Sequence, residues 1–66
     1  MSALQRAAIN MATMKYYGLT KDELPPRVRS MHRCLVRGGY RGARKGYKAW
    51  LRFARACRDV AATRTP

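Results

Sequence analysis

Acid is what this chain lacks most. Only Asp22, Glu23 and Asp59 oppose fifteen Lys and Arg, leaving a net charge of +12 over 66 residues. Between Glu23 and Asp59 run 35 residues with eleven basic side chains and no carboxylate. Like charge at that density repels itself in a compact state, and a polyanion that neutralises it supplies both affinity and folding free energy. Nucleic acid is the first candidate and an anionic membrane surface the second.

Other absences narrow the field. No apolar run approaches the roughly 18 to 20 residues of a membrane-spanning helix. Two cysteines, Cys34 and Cys57, allow at most one disulfide, which excludes the cross-linked framework of a small secreted domain. Histidine occurs once, at His32. With the cysteines it makes three potential ligands, short of the about four that structural zinc takes. His32 and Cys34 stand two apart, and such positions do not face each other on a helix. With no carboxylate pair beside the histidine, the chain lacks an inventory for acid–base or nucleophilic catalysis. No enzyme activity, metal, cofactor or small-molecule substrate is expected, and both cysteines read as reduced and half-buried.

What is present falls into three segments. Residues 1–18 form an N-terminal amphipathic helix, with Leu4, Ala7, Ala8, Met11 and Met14 at helical spacing and Gly18 as its stop. Residues 19–26 are a proline-containing connector. Thr20 and Glu23 have capping-box spacing there, but Pro25 and Pro26 limit any helix to one turn. Residues 27–66 are a basic region, expected to bind RNA, with a short helix, a Gly/Arg loop and a C-terminal helix. In the short helix, Val28, Met31 and Leu35 share a side, and Gly38–Gly39 end it. The last helix, from Tyr47 to about Ala62, places Tyr47, Trp50, Leu51, Ala54, Cys57 and Ala61 on one face, widened by Phe53, Ala56 and Val60. The expected fold is therefore mostly α: two to three short helices joined by an extended Gly/Arg-rich loop. Little independent core is expected, and no stable fold in isolation.

The stretch "RCLVRGGYRGARKG", residues 33–46, holds five basic residues and four of the five glycines. Glycine weakens a helix by about 1 kcal/mol relative to alanine, but it lets backbone N–H groups approach phosphate oxygens closely. The run lacks the four-residue spacer and Lys-Ser/Thr ending of a P-loop. Arg37, Arg41 and Arg44 can fork onto phosphates, and Lys45 adds a point charge. Tyr40 can stack on an unpaired base, while Tyr47 and Trp50 read as packing residues. Arg29 and Arg33 precede the loop, and after it Lys48, Arg52, Arg55 and Asp59 mark the face of the last helix opposite its apolar side, a basic stripe ending in one acid. Interleaved aromatic and basic groups on a glycine backbone suit irregular RNA better than a DNA major groove, which calls for a regular helix aimed at base edges.

The segment "HRCLVRGGYRGARKGYKAWLRFAR" resembles the core of small-subunit ribosomal protein fourteen, the universal S-fourteen family, whose string reads N-R-C-x-x-T-G-R-x-R-G-x-x-R-K-F. Arg33, Cys34, Gly38, Arg41 and Gly42 stand in register, and Tyr47 takes the phenylalanine position. Arg44–Lys45 match the Arg-Lys pair after a shift of one residue, and "LPPRVRS" is similar to the family's lead-in. His32, Arg37 and Gly39 depart from it, and about half the chain is covered. The resemblance implies a structural protein lying on ribosomal RNA in the small-subunit head, beside other head proteins. It implies the zinc-free branch, because the two C-x-x-C pairs of the other branch are missing. The basic, acid-free N-terminus resembles a mitochondrial targeting segment, so a mitochondrial ribosome in the matrix is the expected location. A rival comes from "RSMHRCLVR", which resembles the L-Y-R motif of small helical subunits and assembly factors of respiratory complexes. Met31, His32 and Arg33 would be its motif positions, an acyl-carrier protein its partner. A third reading is a basic supernumerary subunit of a membrane complex, its amphipathic helices on lipid.

Overall fold

A serine two residues into the chain starts the first helix. Ser2 Oγ accepts from the Gln5 backbone N–H at 3.2 Å, and Gln5 Oε1 accepts from Ser2 N–H at 2.8 Å, a reciprocal cap. In the computed structural model, which describes residues 1–64, this opens α1 over Ala3–Tyr16. The last two residues of the region assigned as 27–66 lie outside the described residues. Helix α1 ends where the glycine demands it. Gly18 takes φ +70°, and Gly18 and Leu19 N–H donate to the carbonyls of Lys15 and Met14 at 3.0 and 2.9 Å, a Schellman closure.

The connector contains a single 3-10 turn, Lys21–Glu23. Thr20 N–H and Oγ1 donate to Glu23 Oε1 at 2.9 and 3.0 Å, so the expected Thr20–Glu23 pairing forms within its one turn. Pro26 then stands at the first position of α2, Pro26–Arg37, where its fixed φ suits a helix start. The chain reverses at Gly38 and Gly39, both at positive φ, and enters α3, Gly42–Arg64. The fold is all-α, with three helices and no strand among the described residues.

Helix α3 sets the shape. Its 23 residues span about 35 Å at 1.5 Å each, close to the 39 Å long axis of a molecule 19 Å across the other two. Phe53 and Cys57 lie wholly buried at its middle, with Met14 of α1, Leu19 and Leu24 of the connector, and Val28 and Leu35 of α2 around them. That is one small core fed by every element.

Three sequence expectations change. The Gly/Arg run, expected as an extended loop through Gly46, is a loop only over residues 38–41, and α3 starts five residues before Tyr47. Gly42 opens the helix at φ +82°, a conformation that favours glycine. Gly46 is helical despite its propensity because helices in proteins draw most of their stability from tertiary packing, with Ala49, Trp50 and Phe53 anchoring this one one to two turns on. Helix α1 is rotated by about a quarter turn from its apolar face. Leu4 and Met11 are exposed, whereas Asn10 is 2% exposed and Arg6 and Thr13 half-buried. Each of these polar residues has a partner inside: Asn10 on His32, Arg6 on the α2 carbonyls, Thr13 on Trp50. Finally, Tyr47, expected as a packing residue, is 60% exposed, since the buried face of α3 centres on Phe53 and Cys57.

Candidate nucleic-acid interface

The burial of Phe53 and Cys57 decides what the opposite side of α3 presents. Arg44, Lys48, Arg52 and Arg55 follow at intervals of four, four and three residues and are all exposed. That spacing keeps them on one face, a stripe of about 17 Å. Arg41 lies one turn before it in sequence and Lys45 on its flank. Arg33 and Arg37 stand four apart on the exposed side of α2. None of these eight side chains, nor Tyr40, makes a hydrogen bond or ion pair to a described residue.

Arg29 differs from the other expected contacts. Its Nε donates to the Leu24 carbonyl at 3.2 Å and its Nη2 to the Asp22 carbonyl at 3.4 Å, so it fastens the connector to α2. Two further arginines that sequence reasoning passed over also act within the fold. Arg6 donates through Nε to Val36 O at 3.0 Å and through Nη2 to Arg37 O at 3.4 Å, capping the negative end of α2. Arg64 donates to the Gly18 carbonyl at 2.9 Å and pairs with Glu23. Arg6 Nη1 also donates locally to the Met1 carbonyl, but no local signal marks either tertiary role, because the α2 carbonyls and Gly18 lie 30 or more residues from them in sequence.

Two of the three acids have basic partners. Glu23 is held below its ordinary 4.5 by the Thr20 N–H and then by Arg64. Asp59 lies on the far end of the stripe, 3.4 Å from Arg58. The first turn of α3 carries Arg44 and Lys45 and no acid, which sets positive side chains on the positive end of the helix dipole. Local rules favour an anion there.

Two grooves flank the stripe. Between α2 and α3, Arg27, Arg52, Arg55 and Asp59 rim a groove of about 530 Å³ floored by Val28 and Met31 with Ala56 and Val60. Arg27 therefore belongs with the stripe residues, although its position at the start of α2 gave no sign of it. At the other end, the turn 38–41 and the first turns of α3 enclose a mostly apolar cleft of about 570 Å³ against α1. Among the described residues, no three His, Cys, Asp or Glu side chains gather as a metal-binding group. No helix among them is long and apolar enough to cross a membrane. Comparison with family models, with curated proteins and with solved structures finds no match to this chain.

Proposed function

We propose that this chain is a non-catalytic RNA-binding protein, and within that class a structural constituent of a small ribosomal subunit. The observation that carries the proposal is the unpartnered basic stripe of α3, extended by Arg33, Arg37 and Arg41, with no acid in the first turn of the helix and Asp59 alone at its far end. An arginine row on a rigid helix can meet successive phosphates bidentately, and sugar–phosphate contact is the sequence-independent source of affinity for RNA. The resemblance of residues 32–55 to small-subunit ribosomal protein fourteen supplies the particular reading: ribosomal RNA in the subunit head, in mitochondria. The apolar side chains that α1 leaves outside, Leu4 and Met11, suit neighbouring head proteins.

The respiratory-complex reading gains one observation, since α3 runs unbroken through the glycines and completes a three-helix arrangement. Against it, His32 is buried and bonded to Asn10, and Met31 is half-buried. Arg33 alone of the three motif positions is exposed.

Density-gradient sedimentation of a mitochondrial lysate containing the tagged chain separates the two. Migration with the small ribosomal subunit, abolished by ribonuclease, is expected. Ribonuclease-resistant migration with an acyl-carrier protein or a respiratory complex would overturn the proposal.

A further inference from the structure

The cleft at the N-terminal end of α3 has walls of unusual composition. Tyr40, Tyr47 and Trp50 contribute aromatic rings, Ile9 and Leu35 aliphatic surface, and Gly42 and Gly46 no side chain at all. A Cβ added at Gly39, Gly42 or Gly46 would meet nothing within 4 Å, so the space is open and not filled by neighbours. Trp50 is fixed in place: its Nε1–H donates to Thr13 Oγ1 at 3.1 Å. The Tyr47 ring lies 5.9 Å from it, tilted by 38°. The tyrosines are 41% and 60% exposed at positions 40 and 47.

One polar residue of the wall has an atom to spare. Asn10 lines the cleft and is 2% exposed. Its Nδ2 donates to the His32 carbonyl and to His32 Nδ1. A carbonyl only accepts, so the amide orientation is fixed and Oδ1 is left over. Among the described residues nothing donates to that oxygen. In sequence, Arg41, Arg44 and Lys45 alternate with the lining residues Tyr40, Gly42, Ala43 and Gly46. The site is thus mostly apolar, with Arg6 and Asn10 as the polar side chains of its wall, and cationic residues adjoin it in sequence.

We infer that this cleft receives one unpaired nucleobase of the bound RNA. The base would stack against Tyr47 or Tyr40 with Trp50 behind, an exocyclic amine would donate to Asn10 Oδ1, and its flanking phosphates would lie on Arg41, Arg44 and Lys45. An aromatic face accepts any base, and a charged rim follows the backbone on either side. This inference rests on the RNA-binding reading and makes it more specific: the stripe holds duplex or strand backbone, and the cleft selects for a looped-out nucleotide. An anionic lipid also joins an apolar body to a negative group, but aromatic rings beside glycines that leave the space open suit a planar ring better than a flexible chain.

The test uses the full chain and its single tryptophan, Trp50, as the reporter. The probes are a short RNA hairpin with an unpaired loop, the same hairpin with abasic loop nucleotides, and phosphatidylglycerol vesicles. The variant Gly46→Leu fills the cleft, and because its Cβ has open space and leucine is the better helix former, circular dichroism should show the helices intact. Expected are quenching of Trp50 by the intact hairpin and affinity weaker by roughly tenfold for the abasic hairpin and for Gly46→Leu. The salt dependence should be unchanged in both cases. Equal affinity for both hairpins and for Gly46→Leu would overturn the cleft assignment while leaving phosphate binding by the stripe standing. Failure to bind either hairpin would sink the RNA reading itself, and the cleft with it. A Trp50 response to vesicles in place of the hairpin would make the cleft a lipid site and overturn the inference.

Discussion

Asn10 Nδ2 donates to His32 Nδ1 at 3.0 Å and to the His32 carbonyl at 3.3 Å, joining α1 to α2 through a buried polar contact. The contact requires a neutral imidazole with its proton on Nε2, since Nδ1 must accept. The ring also lies against Phe53, centroids 5.8 Å apart, so a charge there would be poorly solvated.

Stability should consequently depend on pH through His32. Burial, and secondly the positive charge of Lys21, lower its pKa from the ordinary 6.5. Above about 6.5 both folded and unfolded chains are neutral at this residue and its contribution is complete. As pH falls below that value the unfolded chain binds a proton that the folded one refuses, and stability drops. Urea unfolding at about pH 7.5 and about pH 5.5 should show the loss. The variant His32→Gln keeps an acceptor for Asn10 and should be flat over the same window. Equal loss in His32→Gln would remove His32 as the cause. Glu23 titrates in a separate window: its depressed pKa confers stability that is lost only below about 4.5.

The two glycines at the ends of the basic run should respond to alanine with opposite signs. Gly38 has φ +78°, and a Cβ there would stand 2.9 Å from the Arg6 guanidinium. Gly38→Ala should cost about 1–2 kcal/mol from backbone strain alone, with a further loss as Arg6 leaves the α2 carbonyls. Gly46 is helical with open space around its Cβ, so Gly46→Ala should stabilise by about 1 kcal/mol. Chemical denaturation of both variants measures this. A destabilised Gly46→Ala would mean that the first turns of α3 are not helical in solution.

The cysteines should behave as two distinct thiols. Cys57 is fully buried and its thiol is pushed up to about 11 by burial, while Cys34 is exposed on α2. An aromatic disulfide reagent at neutral pH should therefore modify Cys34 rapidly and Cys57 only on unfolding. Rapid modification of both in the native protein would contradict the packing of α3 against the core.

The sequence disclosed the elements better than their faces. Val28 and Leu35, Phe53 and Cys57, the stop at Gly18 and the turn at Thr20–Glu23 follow from periodicity and capping chemistry, which are local. The rotation of α1 does not, because Asn10, Arg6 and Thr13 turn inward only when His32, the α2 carbonyls and Trp50 arrive from elsewhere in the chain. The start of α3 was hidden for the same reason: two glycines and two positive charges argue against a helix that packing then enforces. The stripe Lys48–Arg52–Arg55 was legible from spacing alone, and Arg44 joined it only because α3 begins at Gly42. Arg27 joined it only through the α2–α3 groove, and the aromatic cleft needed three helices in place.

Salt titration of RNA binding tests the central claim most directly. With about six phosphates neutralised, the logarithm of affinity should fall against that of salt concentration with a slope of about −4 to −5, and Arg44→Ala with Arg52→Ala should make it shallower by about 1.4. A slope near zero, or one unmoved by the two substitutions, would contradict a phosphate-binding role for the outer face of α3.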